Sequence, residues 1–300
     1  MGRYRLLTAA LLVLLLAWTA GAAYAAGYAN PQLLIETDEL AKLLDDPGVR
    51  IVDLRGDLAG GEAAYRKGHI KNAVFLSWRE LDSVEANRQG YPIPPEQAEA
   101  LFGRLGIDHD TRVVAYDDAG GLFAARLFYV LEFFGHDRVR VLNGGLGKWA
   151  REGRPLSREA PTVAPKRFLA KPRSELIATA EDVKAKLGTA EVCLVDARSQ
   201  GEYAGSDVRA KRGGRIPGAV SVDWTTTLNR DGTFKPADEL RRIFEAAGAR
   251  PDLEVVTYCQ TGVRAAHDYF ALRLLGYNKV RNYDGSWADW GNNPALPVEK

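Results

Sequence analysis

The sequence predicts an α/β protein made of two domains in tandem, each a parallel sheet flanked by helices, and three observations predict it. The first is repetition. Arg50-Ile51-Val52-Asp53-Leu54-Arg55 returns as Val192-Cys193-Leu194-Val195-Asp196-Ala197-Arg198, and Gly68-His69-Ile70-Lys71-Asn72-Ala73-Val74 as Gly214-Arg215-Ile216-Pro217-Gly218-Ala219-Val220. Arg112-Val113-Val114-Ala115-Tyr116 returns as Glu254-Val255-Val256-Thr257-Tyr258, and Asn143-Gly144-Gly145 with Trp149 as Tyr283-Asp284-Gly285 with Trp287 and Trp290. All offsets are about 140–146 residues, and four matches in one order mark a duplicated unit. The second observation is that short β-branched runs alternate with helical patterns, the order that builds a parallel sheet covered on both faces. The third is length: 300 residues hold two domains of ordinary size.

Taken in order, Arg3 and Arg5 precede an apolar run from Leu6 to Ala17, and small residues lead to Ala23-Tyr24-Ala25. That is the pattern of a secretory signal over residues 1–25, too short to span a bilayer, and it implies a periplasmic or secreted mature chain without a later membrane span. The first domain is expected over 33–156. Thr37 reads as a helix N-cap with Leu40, Leu43 and Leu44 at helical spacing, and Pro95–Leu105 reads as a second helix. Residues 157–175 form a semi-extended linker carrying Pro161, Pro165 and Pro172 without apolar periodicity. The second domain takes 176–300, with Thr179 capping a helix that holds Val183 and Leu187, and a further helix over Ala237–Ala247.

Composition narrows the function. Lys plus Arg number 40 against 39 Asp plus Glu with no block of either sign, so nothing marks a nucleic-acid footprint. Two cysteines and four scattered histidines exclude a disulfide scaffold and a Cys/His zinc cluster, and no metal or other cofactor is expected.

In open parallel sheets ligands bind beyond the carboxyl ends of the strands. There Val255-Val256-Thr257-Tyr258 runs into Cys259-Gln260-Thr261-Gly262-Val263-Arg264, followed by helical sequence to Leu275. A cysteine at a helix N-terminus meets unpaired N–H groups and the positive end of the dipole, which favour the thiolate. Gly262 lets successive N–H groups converge on the sulfur, and Arg264 is expected to close the ring with a permanent charge. Gln260, Thr261, Gly262, Val263 and Arg264 are therefore candidate binding residues around a catalytic Cys259.

With those residues in view, the chain resembles tandem rhodanese-type sulfurtransferases from about Leu34 to Trp290. The resemblance rests on the two Asp-x-Arg strand ends, Gly-His-Ile-x-x-Ala and Gly-Arg-Ile-Pro-Gly-Ala, the Cys-x-x-Gly-x-Arg loop and Asp-Gly-Ser-Trp. It implies transfer of a sulfane sulfur from thiosulfate to cyanide or a thiol acceptor through a Cys259 persulfide. A 3-mercaptopyruvate donor is the alternative, as is a non-catalytic persulfide carrier or binding module. Cysteine phosphatases and arsenate reductases are a third reading, but phosphatases use Cys-x5-Arg around a phosphate, whereas Cys259 to Arg264 spans one residue fewer and suits a single sulfur.

Two cations found in vertebrate thiosulfate enzymes are missing: Glu202 stands a few residues after Asp-x-Arg where those carry an arginine, and Thr261 replaces a lysine. Arg198 is a candidate substrate-binding residue, its alternative being a structural pairing with Asp196 or Glu202. In the first half Asp117 stands where Cys259 would be, so that half resembles the inactive domain of tandem enzymes. Asp117 and Asp118 read as solvated or capping groups, Trp78 as a residue of the cleft wall, Cys193 as an inert core thiol, and His267 as a rim or solvent-facing residue.

Overall fold

The computed structural model describes residues 27–56, 60–83 and 91–300, so the expected signal at 1–25 lies outside the described residues. The first half contains β1 (Leu34–Ile35), α1 (Thr37–Ala41), β2 (Val49–Asp53), α2 (Gly61–Lys67) and β3 (Ala73–Phe75). It continues with α3 (Pro95–Arg104), β4 (Arg112–Tyr116), α4 (Leu122–Phe133), β5 (Val139–Leu142) and α5 (Gly145–Arg151). The second half contains α6 (Ala180–Ala185), β6 (Val192–Asp196), α7 (Gln200–Ala204), β7 (Val220–Ser221) and α8 (Ala237–Ala246). It ends with β8 (Glu254–Tyr258), α9 (Val263–Leu274), β9 (Val280–Asn282) and α10 (Ser286–Trp290).

Each half is a parallel sheet, in the order β1-β5-β4-β2-β3 and β7-β6-β8-β9. The pairings repeat in register: Asp53 lies beside Tyr116 as Asp196 lies beside Tyr258. A parallel bridge from Ile177 to Asn282 stands where β1 flanks β5 in the first half. The central strands are buried apolar runs, as sheets covered on both faces require. Thr37 is the first residue of α1 and not its cap: Glu36 holds the cap position, and the Thr37 hydroxyl donates to Glu152 at 2.5 Å. Thr179 does cap α6, in a reciprocal capping box with Asp182.

The two halves share one core. Helices α4 and α9, buried nearly all round, pack on each other through Phe128 against Phe270 and Tyr129 against Tyr269, ring centroids 4.9 and 5.1 Å apart. The Tyr269 hydroxyl donates to Glu132 at 2.8 Å, and Arg273 pairs with the same carboxylate at 2.7 Å. The segment between the halves lies along the first half. Phe168 is buried on Phe102, and the backbones of Lys171 and Arg173 donate to Phe134 and Phe133. Among the described residues no helix is long and apolar enough to cross a membrane.

Candidate active site

β8 delivers Cys259 to the carboxyl edge of the second sheet, and the turn before α10 fixes the loop that follows. The Ser286 hydroxyl accepts from the Cys259 N–H at 3.0 Å and the Gly262 N–H at 3.1 Å, and donates to the Tyr283 carbonyl at 2.8 Å. The carbonyls of Cys259 and Gln260 accept from the N–H groups of Trp287 and Ala288 at 3.0 and 2.9 Å. Asn282 Nδ2 donates to the Gly262 carbonyl at 3.2 Å and to Asp284 Oδ1 at 2.7 Å. Gly262 is required: its φ is +80°, and a Cβ there would lie 2.4 Å from Asp284 Oδ1. The first turn of α9 then presents N–H groups that have no partner within the helix. Cys259, 1% exposed, packs on Ala197 and Ala265 with Trp224 alongside.

The first half shows what such a loop holds. Asp117 is fully buried, its Oδ1 accepting from the N–H groups of Ala119 and Gly121 and its Oδ2 from those of Phe123 and Ala124, all at 2.8–2.9 Å. A strand end followed by a left-handed glycine and a helix start is thus, in this chain, a cradle of N–H donors for an anion. The duplicated position carries a carboxylate in one half and a sulfur in the other. Asp117 is therefore an internal cap and not a solvated group, whereas Asp118 is exposed.

One expectation about arginine is corrected, and a second is decided between its two readings. Arg264 does not offer its fork to a ligand: Nη1 and Nη2 donate to the two oxygens of Glu202 at 2.6 and 2.8 Å. Ser199 and Glu202 also form a capping box at the start of α7, which fixes the carboxylate in place. Despite burial, the Arg264 and Ser199 hydrogen bonds hold Glu202 down at about 2, and Glu202 in turn pushes Arg264 up. The cation beside Cys259 is thereby ion-paired.

Arg198 is structural. It is 1% exposed, bonds Asp196 and the Gly214 carbonyl, and stacks at 4.5 Å on the Trp287 ring. Arg55 makes the same bonds to Asp53 and the Gly68 carbonyl in the half without a cysteine, so the arrangement does not depend on the chemistry.

The remaining candidates separate. The Gln260 side chain is held by the Arg209 carbonyl, its Nε2 donating at 3.0 Å. Thr261 is half-buried at the top of the loop, and Val263 begins α9. His267 is neither rim nor solvent-facing: it is 0% exposed, bonded through Nε2 to the Gly120 carbonyl at 3.2 Å, stacked on Phe234, and burial pulls it down to about 4. Trp78 is half-buried and stacked on Phe123. Cys193 is buried in β6 and pushed up to about 11.

Sequence reasoning missed the loop's supports, although the Ser199-x-x-Glu202 spacing of a capping box was readable. It also missed Arg126 of α4, which is fully buried and donates to Asp284 at 2.7 Å and to Asp82 at 2.8 Å. One guanidinium faces two carboxylates there, and burial, opposed by Arg126, raises Asp284 to about 7. The cysteine-less half thus braces the turn on which the Cys259 loop hangs.

Glu202→Gln keeps the capping box but removes the charge that occupies Arg264. It is expected to lower KM for an anionic donor several-fold while costing stability, measured by steady-state kinetics and denaturant midpoints. The pH sign is fixed by the depressed value. The glutamate's stabilisation is present above the ordinary carboxylate range and is lost as pH falls toward about 2, and the variant lacks that acid limb.

The rhodanese-like domain family matches residues 36–152 and 179–293, one domain in each half. The sulfur carrier protein TtuD of Thermus thermophilus is 39% identical over 289 residues, covering 91% of this chain and 99% of its own. The thiosulfate sulfurtransferase of Azotobacter vinelandii is 38% identical over 272 residues, covering 91% and 98%. Among solved structures, the 3-mercaptopyruvate sulfotransferase SseA of Escherichia coli superposes with a TM-score of 0.76 at 30% identity, covering 85% of this chain and 98% of its own. An anaerobic ergothioneine biosynthesis enzyme from Chlorobium limicola gives 0.82 at 26% identity, covering 91% and 71%. The fold and the duplicated strand-end loops define a two-domain α/β protein of the rhodanese type. The chain belongs to the rhodanese family and is a sulfurtransferase.

Proposed function

We propose that this sulfurtransferase takes the outer sulfur of thiosulfate onto Cys259 and passes it to cyanide or a thiol. The observation that carries the reading is the duplicated strand–loop–helix turn: in the first half it binds the Asp117 carboxylate with four N–H donors, and in the second it places Cys259 at the same position, at the start of α9. In the first step the Cys259 thiolate attacks the outer sulfur, an S–S bond forms, and the S–S bond of thiosulfate breaks with its electron pair leaving on sulfite. In the second, the acceptor attacks the outer persulfide sulfur and the pair returns to Cys259. The N–H groups stabilise the anionic persulfide between the two steps.

The Azotobacter relative favours thiosulfate, whereas the likeness to SseA and the neutralisation of Arg264 by Glu202 favour mercaptopyruvate as the second reading. A carrier role, as the name of the Thermus relative suggests, calls for an apolar docking patch beside Cys259. The large apolar side chains exposed among the described residues are Leu156, Leu169 and Val208, and Val208 adjoins Arg209, whose carbonyl accepts from Gln260 of the Cys259 loop. Parallel assays with both donors and cyanide as acceptor test the reading. Thiosulfate is expected to give the higher kcat/KM, by about tenfold or more. The reverse order would transfer the assignment to mercaptopyruvate.

A further inference from the structure

Asp284 is the point at which the half without a thiol reaches the Cys259 loop. Its Oδ1 accepts from Arg126 Nη1 of α4 and from Asn282 Nδ2, both at 2.7 Å, and Asn282 Nδ2 also donates to the Gly262 carbonyl. The same oxygen seats against Gly262, close enough that no side chain fits there. Asp284 is 0% exposed, and among the described residues its Oδ2 has no hydrogen-bond partner. The carboxylate is thus fixed through one oxygen, by one charged donor and one neutral donor. Arg126 is anchored in turn: its Nε and Nη2 donate at 3.0 and 2.8 Å to Asp82 Oδ1, which follows the single helical turn Trp78–Leu81. Burial raises both carboxyl groups, and Arg126 opposes it at each.

The duplication shows that this brace is not a general feature of the fold. Arg126 is the fifth residue of α4 and His267 the fifth of α9. Leu146 and Trp287 donate to the carbonyls of Asp117 and Cys259, which sets Asn143 in the place of Asp284, one residue off the sequence match. Where one half has Arg126 bonded to Asp284, the other has His267 and Asn143, each bonded elsewhere. His267 Nε2 bonds the Gly120 carbonyl, and Asn143 accepts from the Phe234 N–H at 3.0 Å. Burial pulls His267 down to about 4, so it carries no charge near neutral pH. The Asp-x-Arg pairs, by contrast, repeat in both halves. The buried charge is therefore directed at one loop, the one that carries the sulfur.

We propose that Arg126 is a positioning residue for sulfur transfer, holding Asp284 against Gly262 and so fixing the loop conformation in which Cys259 reacts. Without Arg126 the buried Asp284 carboxylate would keep one neutral donor, Asn282. It would take up a proton or turn away, and the Gly262 backbone would lose its seat. Being fully buried, Arg126 acts on the reaction through the loop, without contact with the donor. Misplacing a reacting group by about 1 Å costs up to about 10²-fold in rate, and such a loss falls on kcat more than on donor binding.

This inference rests on Cys259 being the reactive thiol. Its test compares Arg126→Gln with Glu132→Gln in the full chain, at a temperature where circular dichroism shows each folded. Glu132 lies on the same helix and holds Tyr269 and Arg273 across the same interface, without a bond to the loop. Both substitutions are expected to lower denaturant midpoints. Only Arg126→Gln is expected to slow Cys259 alkylation by iodoacetamide about tenfold, and to lower kcat by as much while KM for the donor stays within about threefold. Arg126→Lys keeps the charge without the fork. Its rates are expected between the wild-type and glutamine values, and it carries the test if Arg126→Gln does not fold. Wild-type rates in folded Arg126→Gln, or in Arg126→Lys where the glutamine variant does not fold, would overturn the proposal, as would an equal loss in Glu132→Gln. Wild-type Cys259 alkylated no faster than Cys193 would instead count against Cys259 as the reactive thiol.

Discussion

Cys259→Ser lowers kcat/KM for sulfur transfer at least about 10³-fold, because a hydroxyl at this strand end neither ionises near neutral pH nor forms a persulfide. The substitution is close to isosteric, and the loop is held by backbone contacts that do not involve the side chain: the Cys259 N–H to Ser286, and the Cys259 carbonyl to Trp287. The loss is therefore chemical, and denaturant midpoints of the variant stay near those of wild type. The other cysteine cannot substitute. Cys193 is buried within β6 and its thiol is raised to about 11, so Cys193→Ser is expected to leave the same kinetics almost unchanged. A Cys259→Ser enzyme retaining a tenth of wild-type activity would refute the role given to this residue.

The second large effect is on stability and lies in the half without a thiol. Asp117→Ala leaves four N–H groups of the first-half loop without their acceptor. Removing one partner from a buried charge-assisted set exposes the desolvation cost of the others, and a loss of about 3–5 kcal/mol is expected. Asp117→Asn recovers only part of this, because its amide nitrogen is a donor facing donors. Because α4 begins at this loop and packs on α9, the second half is expected to unfold with the first. Chemical denaturation followed by far-UV circular dichroism measures both points. A loss below about 1 kcal/mol would show that the cradle does not depend on its anion.

The parts legible in the sequence are those set by local pattern. The four recurring segments gave the duplication, and the apolar strand running into Cys259-Gln260-Thr261-Gly262 placed a sulfur at a helix start, because strand, turn and helix are adjacent in the chain. What escaped is long-range pairing. Arg264 meets Glu202 across 62 residues and Arg126 meets Asp284 across 158, and no spacing rule announces either. The arginine of Cys-x4-Arg therefore read as a free cation when it is an ion-paired one. Arg198 stayed ambiguous for the same reason, until the identical environment of Arg55 separated structure from chemistry. His267 read as a rim or solvent-facing residue because it falls one helical turn past Arg264. The helix is instead enclosed by α4 and by Phe234, which leaves both His267 and Asp268 inside.

Mass spectrometry of the intact protein after brief incubation with thiosulfate, followed by peptide mapping, tests the central claim most directly. One added sulfur, about 32 Da, is expected on the peptide carrying Cys259, released by cyanide and absent from Cys259→Ser. The same mass increment on Cys193, or its persistence in the Cys259→Ser protein, would contradict the account.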